Sequence, residues 1–186
     1  MMDQAKMDPR AVRTRKLIMD SFITLSERKE FKDITVKDIT MEAMINRATF
    51  YRHFEDIYDL LEKALSEVLL VNLDSAAFTE RELDEQTFFQ LFEAVTNFQQ
   101  SISHRCHSGY EETIARIIRD QLEVIFFKLL TKKNPQANAD SLHLTAVMLS
   151  WGIYGASVEW KRNGGLSPET FIKGAIPFIR FGLEAE

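Results

Sequence analysis

The stretch Ile34-Thr35-Val36-Lys37-Asp38-Ile39-Thr40-Met41-Glu42-Ala43-Met44-Ile45-Asn46-Arg47-Ala48-Thr49-Phe50-Tyr51-Arg52-His53-Phe54 decides how this chain is read. Thr35 is a helix N-cap residue, and Asp38, three positions on, puts a negative charge in the first turn of the helix that Thr35 opens. That helix is short and ends near Ala43. Met44-Ile45-Asn46 is a turn, and Asn46 caps a second short helix that runs through Arg52. Two brief helices around such a turn have the spacing of a helix-turn-helix. In that motif the first helix braces the second, so that the second helix presents its leading side chains to base edges in the major groove. Val36, Ile39, Ala43, Ile45 and Phe50 are the small and branched apolar residues that this bracing needs, and they leave Arg47, Ala48 and Thr49 facing outward.

The outward residues have the chemistry of base recognition. Arginine makes a bidentate contact with guanine, while alanine and the threonine methyl pack on the thymine methyl. Arg47, Ala48 and Thr49 are therefore the expected specificity residues. Thr35, Tyr51 and His53, with the capped helix end, suit phosphate oxygens, which position a protein on the duplex without reading its sequence.

Upstream, Val12, Leu17, Ile18, Phe22 and Leu25 recur at helical spacing and predict a first helix over about residues 10–28, with Arg13, Arg15 and Lys16 on its leading half. Downstream, Ile57, Leu60, Leu61, Ala64, Leu65, Val68 and Leu69 predict a long amphipathic helix to about Leu73 that joins two domains, residues 1–55 and 56–186. Further helices are expected near 86–102, 109–132, 138–162 and 168–184, with Asn134-Pro135 closing one of them and Ser167-Pro168 opening another. Only 7 Gly and 4 Pro punctuate the 186 residues, too few for a protein of many tight turns, so the fold class is all-α.

The net charge of −5 is unevenly spread. Residues 1–54 carry 11 basic and 8 acidic side chains, whereas residues 55–186 carry 12 and 20, so a basic module sits on an acidic body. The lone Cys106 excludes a disulfide framework and a multi-cysteine zinc site, which fits a reducing, cytoplasmic setting. Met1–Arg10 lacks the apolar run of a signal peptide, and no stretch approaches the roughly 20 apolar residues of a membrane span, so no membrane partner is expected. His104-Arg105-Cys106-His107 invites a metal or thiol reading, but a polar interhelical loop explains it, and neither metal nor cofactor is expected. Enzyme signatures are missing: there is no Gly-rich phosphate loop, no His-Glu-x-x-His and no nucleophile elbow.

The run Ile34 to Ile39, followed by Asn46-Arg47-Ala48-Thr49-Phe50-Tyr51-Arg52-His53-Phe54, closely resembles the signature of the tetracycline-repressor (TetR) family. The resemblance is detailed over about residues 10–65. Beyond them it is looser: Trp151-Gly152-Ile153-Tyr154-Gly155-Ala156 with Trp160 looks like the penultimate helix of that family, and residues 168–184 look like the last. It implies an N-terminal three-helix DNA-binding domain and a C-terminal helical ligand-binding and dimerisation domain. It further implies a homodimer on a palindromic double-stranded operator, with the final two helices of each copy pairing as a four-helix bundle. Repression would be released when a small-molecule effector changes the spacing of the two reading heads, which must lie about 34–36 Å apart.

Within that picture Gly152, Gly155 and Ala156 allow close helix approach at the dimer interface, and Phe92, Tyr110, Phe126 and Trp151 are the expected pocket walls. Three residues depart from the family pattern. Met44 stands where glycine usually makes the turn, at a strain of roughly 1 kcal/mol for a positive φ. Thr40 replaces a small alanine, and Ile57 takes the place of a phosphate-binding lysine. Met44 and Ile57 keep a second reading open, a helical coactivator or adaptor with a weakened DNA-reading head.

Overall fold

A computed structural model describes residues 8–73, 78, 80–103, 111–163, 165–177 and 179. Among them the secondary structure is entirely helical, in agreement with the fold class read from the sequence. The helices are α1 (Pro9–Ser26), a 3-10 turn (Phe31–Asp33), α2 (Val36–Glu42), α3 (Arg47–Tyr51), α4 (Ile57–Leu73), α5 (Glu85–Ser103), α6 (Glu111–Lys133), α7 (Ala139–Asn163) and α8 (Pro168–Lys173). No helix among the described residues is long and apolar enough to cross a membrane. The chain divides into two compact units: one boundary falls inside α4, between Ser66 and Glu67, and Ser103 at the end of α5 groups with the first unit.

In the first unit α1 begins where Asp8 accepts a hydrogen bond from the Arg10 amide at 2.9 Å and Pro9 takes the first helical position, where a missing N–H costs nothing. Its buried side, Ile18, Met19, Phe22 and Leu25, meets Phe31 edge-on through Phe22, with ring centroids 5.8 Å apart. Ile39, Ala43, Phe50 and Phe54 are buried in the same unit, which braces α2 and α3 from behind. Truncating a fully buried phenylalanine such as Phe50 costs about 3–5 kcal/mol, so this one side chain carries much of the hold on a five-residue helix.

In the second unit α6 and α7 form the most extensive helix pair, joined by the short Asn134–Asn138 connection that favours antiparallel neighbours. The buried seam of α7 is Leu142, Ala146, Ser150, Ile153 and Ser157, spaced by four or three residues. Its small residues let α6 come close. The hydroxyls of Ser150 and Ser157 donate back to the carbonyls of Val147 (2.8 Å) and Tyr154 (2.7 Å), so their burial strands no donor. Phe88 packs on Phe126 and Phe92 stacks on Phe171, with centroids at 5.6 and 6.0 Å.

The last helix departs from expectation. The helix expected over 168–184 is interrupted: α8 stops at Lys173, a turn at Gly174–Ala175 precedes renewed helix at Ile176, and residues 178 and 180–184 lie outside the described residues. Pro177 explains the break: it has no N–H to give the carbonyl four residues back, and its ring would strike that carbonyl, which belongs to Lys173.

Candidate nucleic-acid interface

The bracing helix α2 opens with a reciprocal capping box. The Thr35 hydroxyl accepts from the Asp38 amide at 3.2 Å, and the Asp38 carboxylate accepts from the Thr35 amide at 2.9 Å and the Thr35 hydroxyl at 2.7 Å. Lys29 adds an ion pair to Asp38 at 3.0 Å. The Thr35 hydroxyl and amide bonds, with help from Lys29, hold the Asp38 carboxyl down to about 2. This arrangement bears on the role expected of Thr35: both its hydroxyl proton and its amide are already given to Asp38.

The helix ends as a Schellman motif with a methionine at the position that favours glycine. Met44 has φ of 50°, the one positive value among the described non-glycine residues. The Ile45 amide donates to the Thr40 carbonyl at 3.0 Å and the Met44 amide to the Met41 carbonyl at 3.2 Å, the two bonds that define the motif. The turn therefore keeps its geometry without glycine, and the Met44 side chain is 92% exposed. Thr40, which replaces a small alanine, is buried, and its hydroxyl donates to the Lys37 carbonyl at 3.0 Å. Ile57 begins α4, whose first amides are capped by Asp56 through Tyr58 and Asp59.

Asn46 caps α3 as its sequence indicates: its side-chain oxygen accepts from the Thr49 amide at 2.8 Å and from the Thr49 hydroxyl at 2.9 Å. The helix buries Phe50 alone, and Arg47, Ala48 and Tyr51 are exposed, with Thr49 half-buried. Arg47 and Tyr51, one turn apart, are coupled. The guanidinium donates to the phenolic oxygen at 3.2 Å and lies 5.6 Å from the ring centroid. Arg52 donates to the Thr49 hydroxyl at 3.2 Å. With its oxygen held by Asn46 and Arg52, Thr49 offers a methyl group rather than a polar contact.

His53 is half-buried at the end of α3. Its imidazole is pushed below the ordinary histidine value, first by burial and then by the positive charges of Arg52 and Arg15. Arg15 in turn lies over the Phe54 ring at 4.9 Å, with the Lys63 ammonium 5.7 Å from the same ring. Three cations from α1, the end of α3 and α4 thus gather beside His53 and Phe54. Sequence reasoning did not place Arg15, Arg52 or Lys63 in the site. The signal, basic residues with no acidic neighbour in sequence at Arg13-Thr14-Arg15-Lys16, was legible, but its convergence on Phe54 is a tertiary fact.

The residues assigned to an effector pocket do not gather. Phe92 and Phe126 are fully buried against other phenylalanines, and Trp151 is 55% exposed beneath the Arg119 guanidinium, 4.1 Å from its ring. Tyr110 lies outside the described residues, as do His104, Cys106 and His107. Gly152 and Gly155 are exposed on α7, and a Cβ at either would meet nothing within 4 Å in this chain; Ala156 is half-buried beside them.

No family model matches this chain. Over 60 residues, 32% of its length, it is 38% identical to YxbF, an uncharacterised HTH-type transcriptional regulator of Bacillus subtilis (strain 168), and that match spans only 16% of YxbF. Whole-chain likeness comes from solved structures. The dihydroxyacetone kinase operon activator DhaS superposes with a TM-score of 0.59 at 17% identity, covering 93% of this chain and 97% of DhaS. AlkX from Dietzia sp. strain DQ12-45-1b, a TetR-family repressor implicated in n-alkane biodegradation, gives 0.56 at 15% identity, covering 91% and 95%. The fatty acid degradation regulator FadR from Bacillus halodurans gives 0.55 at 15%, covering 97% and 100%. With a capped, braced helix-turn-helix at one end and structural likeness along nearly the whole chain, this protein has the fold of TetR-family transcriptional regulators.

Proposed function

We propose that the chain is a transcription regulator that binds a palindromic DNA operator as a homodimer and is released from it by a small-molecule effector. The observation that carries the reading is the division of α3: Phe50 is fully buried, while Arg47, Ala48 and Tyr51 face outward from a helix too short to have any other stake in the core. On this reading Arg47 contacts a base edge, with the Thr49 methyl and Ala48 packing beside it. Tyr51, His53 and the cations Arg15 and Arg52 meet phosphate. The Thr35 hydroxyl contributes by holding α2 rather than by direct contact.

Support for a homodimer comes from α7, where Leu144, Met148 and Trp151 are exposed along with Gly152 and Gly155. Apolar side chains next to glycines that nothing in the chain requires suit close approach of a second copy. Glu159, Lys161, Arg162 and Asn163 at the end of α7 are polar and mark where such a contact would end.

A second reading has its own support. DhaS is an operon activator, and the strained turn at Met44 lowers the stability of the reading head, so a coactivator that works through a protein partner fits the same fold. Selection of bound duplexes from a random pool by the purified protein separates the two. An enriched palindrome with half-sites about one helical turn apart supports the operator reading. No enrichment at low salt, where phosphate contacts are strongest, turns the account to the coactivator.

A further inference from the structure

The outward face of α3 is organised from within the helix. Phe50 is fully buried, and its ring meets that of its neighbour Tyr51 edge-on, with centroids 5.3 Å apart and planes at 88°. That contact fixes the Tyr51 ring while leaving the residue 47% exposed. Tyr51 in turn holds Arg47: the phenolic oxygen accepts from the guanidinium at 3.2 Å, and the guanidinium lies over the ring at 5.6 Å from its centroid. An arginine has five N–H donors, so one bond leaves most of the fork open, and the phenol, having accepted, still has its own proton to give to a phosphate. On an exposed helix face such a pair adds little to folding, so its consequence lies in what it does to Arg47.

An unrestrained arginine loses rotamer freedom when a base edge immobilises it, whereas one already held by a phenol has less to lose. The gain is realised only on a duplex that offers the fork two adjacent acceptors. Guanine does so in the major groove through O6 and N7, while adenine presents a donor in place of O6. We infer that Tyr51 is a positioning residue for Arg47, setting its guanidinium as a fork that selects guanine at one symmetric pair of operator positions. This role rests on the operator reading of α3 and gives Tyr51 a share in base selection besides its contact with phosphate.

The test uses the full chain and the duplex that wild type selects from a random pool, with affinities read by fluorescence anisotropy for wild type, Arg47→Ala, Tyr51→Phe and the double variant. Tyr51→Phe keeps the ring on Phe50 and removes only the hydroxyl. At the position where Arg47→Ala erases discrimination, the selected base is expected to be guanine, preferred over adenine by about 10-fold or more in wild type. Tyr51→Phe should cut that preference about 3- to 10-fold, the span recovered by holding one arginine, and leave discrimination at the other positions unchanged. In the Arg47→Ala background the hydroxyl should no longer affect any base preference. Equal weakening of every duplex by Tyr51→Phe, with the guanine preference intact, makes Tyr51 a phosphate ligand alone and overturns the inference while the operator reading stands. A selected base other than guanine at that position overturns it as well. No enriched duplex at low salt removes the operator reading and the positioning role with it.

Discussion

Replacing Met44 by glycine should make the protein more stable. Met44 is held at φ 50° by the two bonds that close α2, and a left-handed conformation costs an L-residue about 1–2 kcal/mol through its Cβ. Glycine removes that cost but adds about 0.4–1 kcal/mol of backbone entropy to the unfolded chain. Because the methionine side chain is 92% exposed, little burial is lost. The net gain is about 0.5–1 kcal/mol. The control is Met41→Gly, at a 68%-exposed position inside α2, where glycine should cost about 1 kcal/mol. Urea unfolding at one fixed protein concentration reads both. With a slope of about 2 kcal/mol/M, Met44→Gly raises the midpoint by about 0.3–0.5 M and Met41→Gly lowers it by about 0.5 M. Equal loss for both substitutions would show that the turn is not strained and would refute the reasoning.

Other outcomes follow from the same site. Thr35→Ala should cost about 1 kcal/mol by removing the cap of α2, measured by the same unfolding series. Because the Asp38 carboxyl is held near 2 against 3.8 when free, the capping box stabilises the fold above pH 3.8 and loses that effect as pH falls toward 2; Asp38→Asn should flatten the acid limb of the stability profile. The His53 value is lowered from 6.5, so the unfolded chain takes up its proton first, and the stability this gives above pH 6.5 declines as pH falls below it. A phosphate beside His53 reverses the bias, so affinity for any duplex should rise as pH drops below 6.5, and His53→Gln should remove that rise in an anisotropy titration. Gly152→Arg should convert a sedimenting dimer to monomer while leaving helix content unchanged or higher, since the added side chain meets nothing in its own chain. A dimer that survives the substitution would move the interface elsewhere.

What could be read from the sequence and what could not divides by the range of the interaction. Thr35, Asn46 and Ser167 each satisfy an amide three residues away, so their caps are visible in the order of residues alone. The left-handed turn at Met44 was legible only through the resemblance, which puts glycine there, since a methionine gives no local signal for a positive φ. The break in α8 was also available in Pro177, but the apolar run around it hid the signal. Local reading leaves a choice where one group has two possible uses: Thr35 suits a phosphate oxygen, while in this structure its hydroxyl proton lies on Asp38. It failed altogether for pairs joined by tertiary contact. Arg119 and Trp151 sit on different helices and meet at 4.1 Å, which turns the supposed pocket tryptophan into a surface stack.

The central claim is that α3 reads base edges through Arg47. Its most direct test takes the duplex selected by the wild-type protein, substitutes each base pair in turn, and measures the affinity of wild type and Arg47→Ala across the set. The account predicts a loss of about 1–3 kcal/mol on the parent duplex for Arg47→Ala, together with indifference to substitution at one symmetric pair of positions and undiminished discrimination at the others. A loss spread evenly over every duplex, with discrimination intact at all positions, would contradict it, for Arg47 would then be a phosphate contact and the reading would lie with other residues.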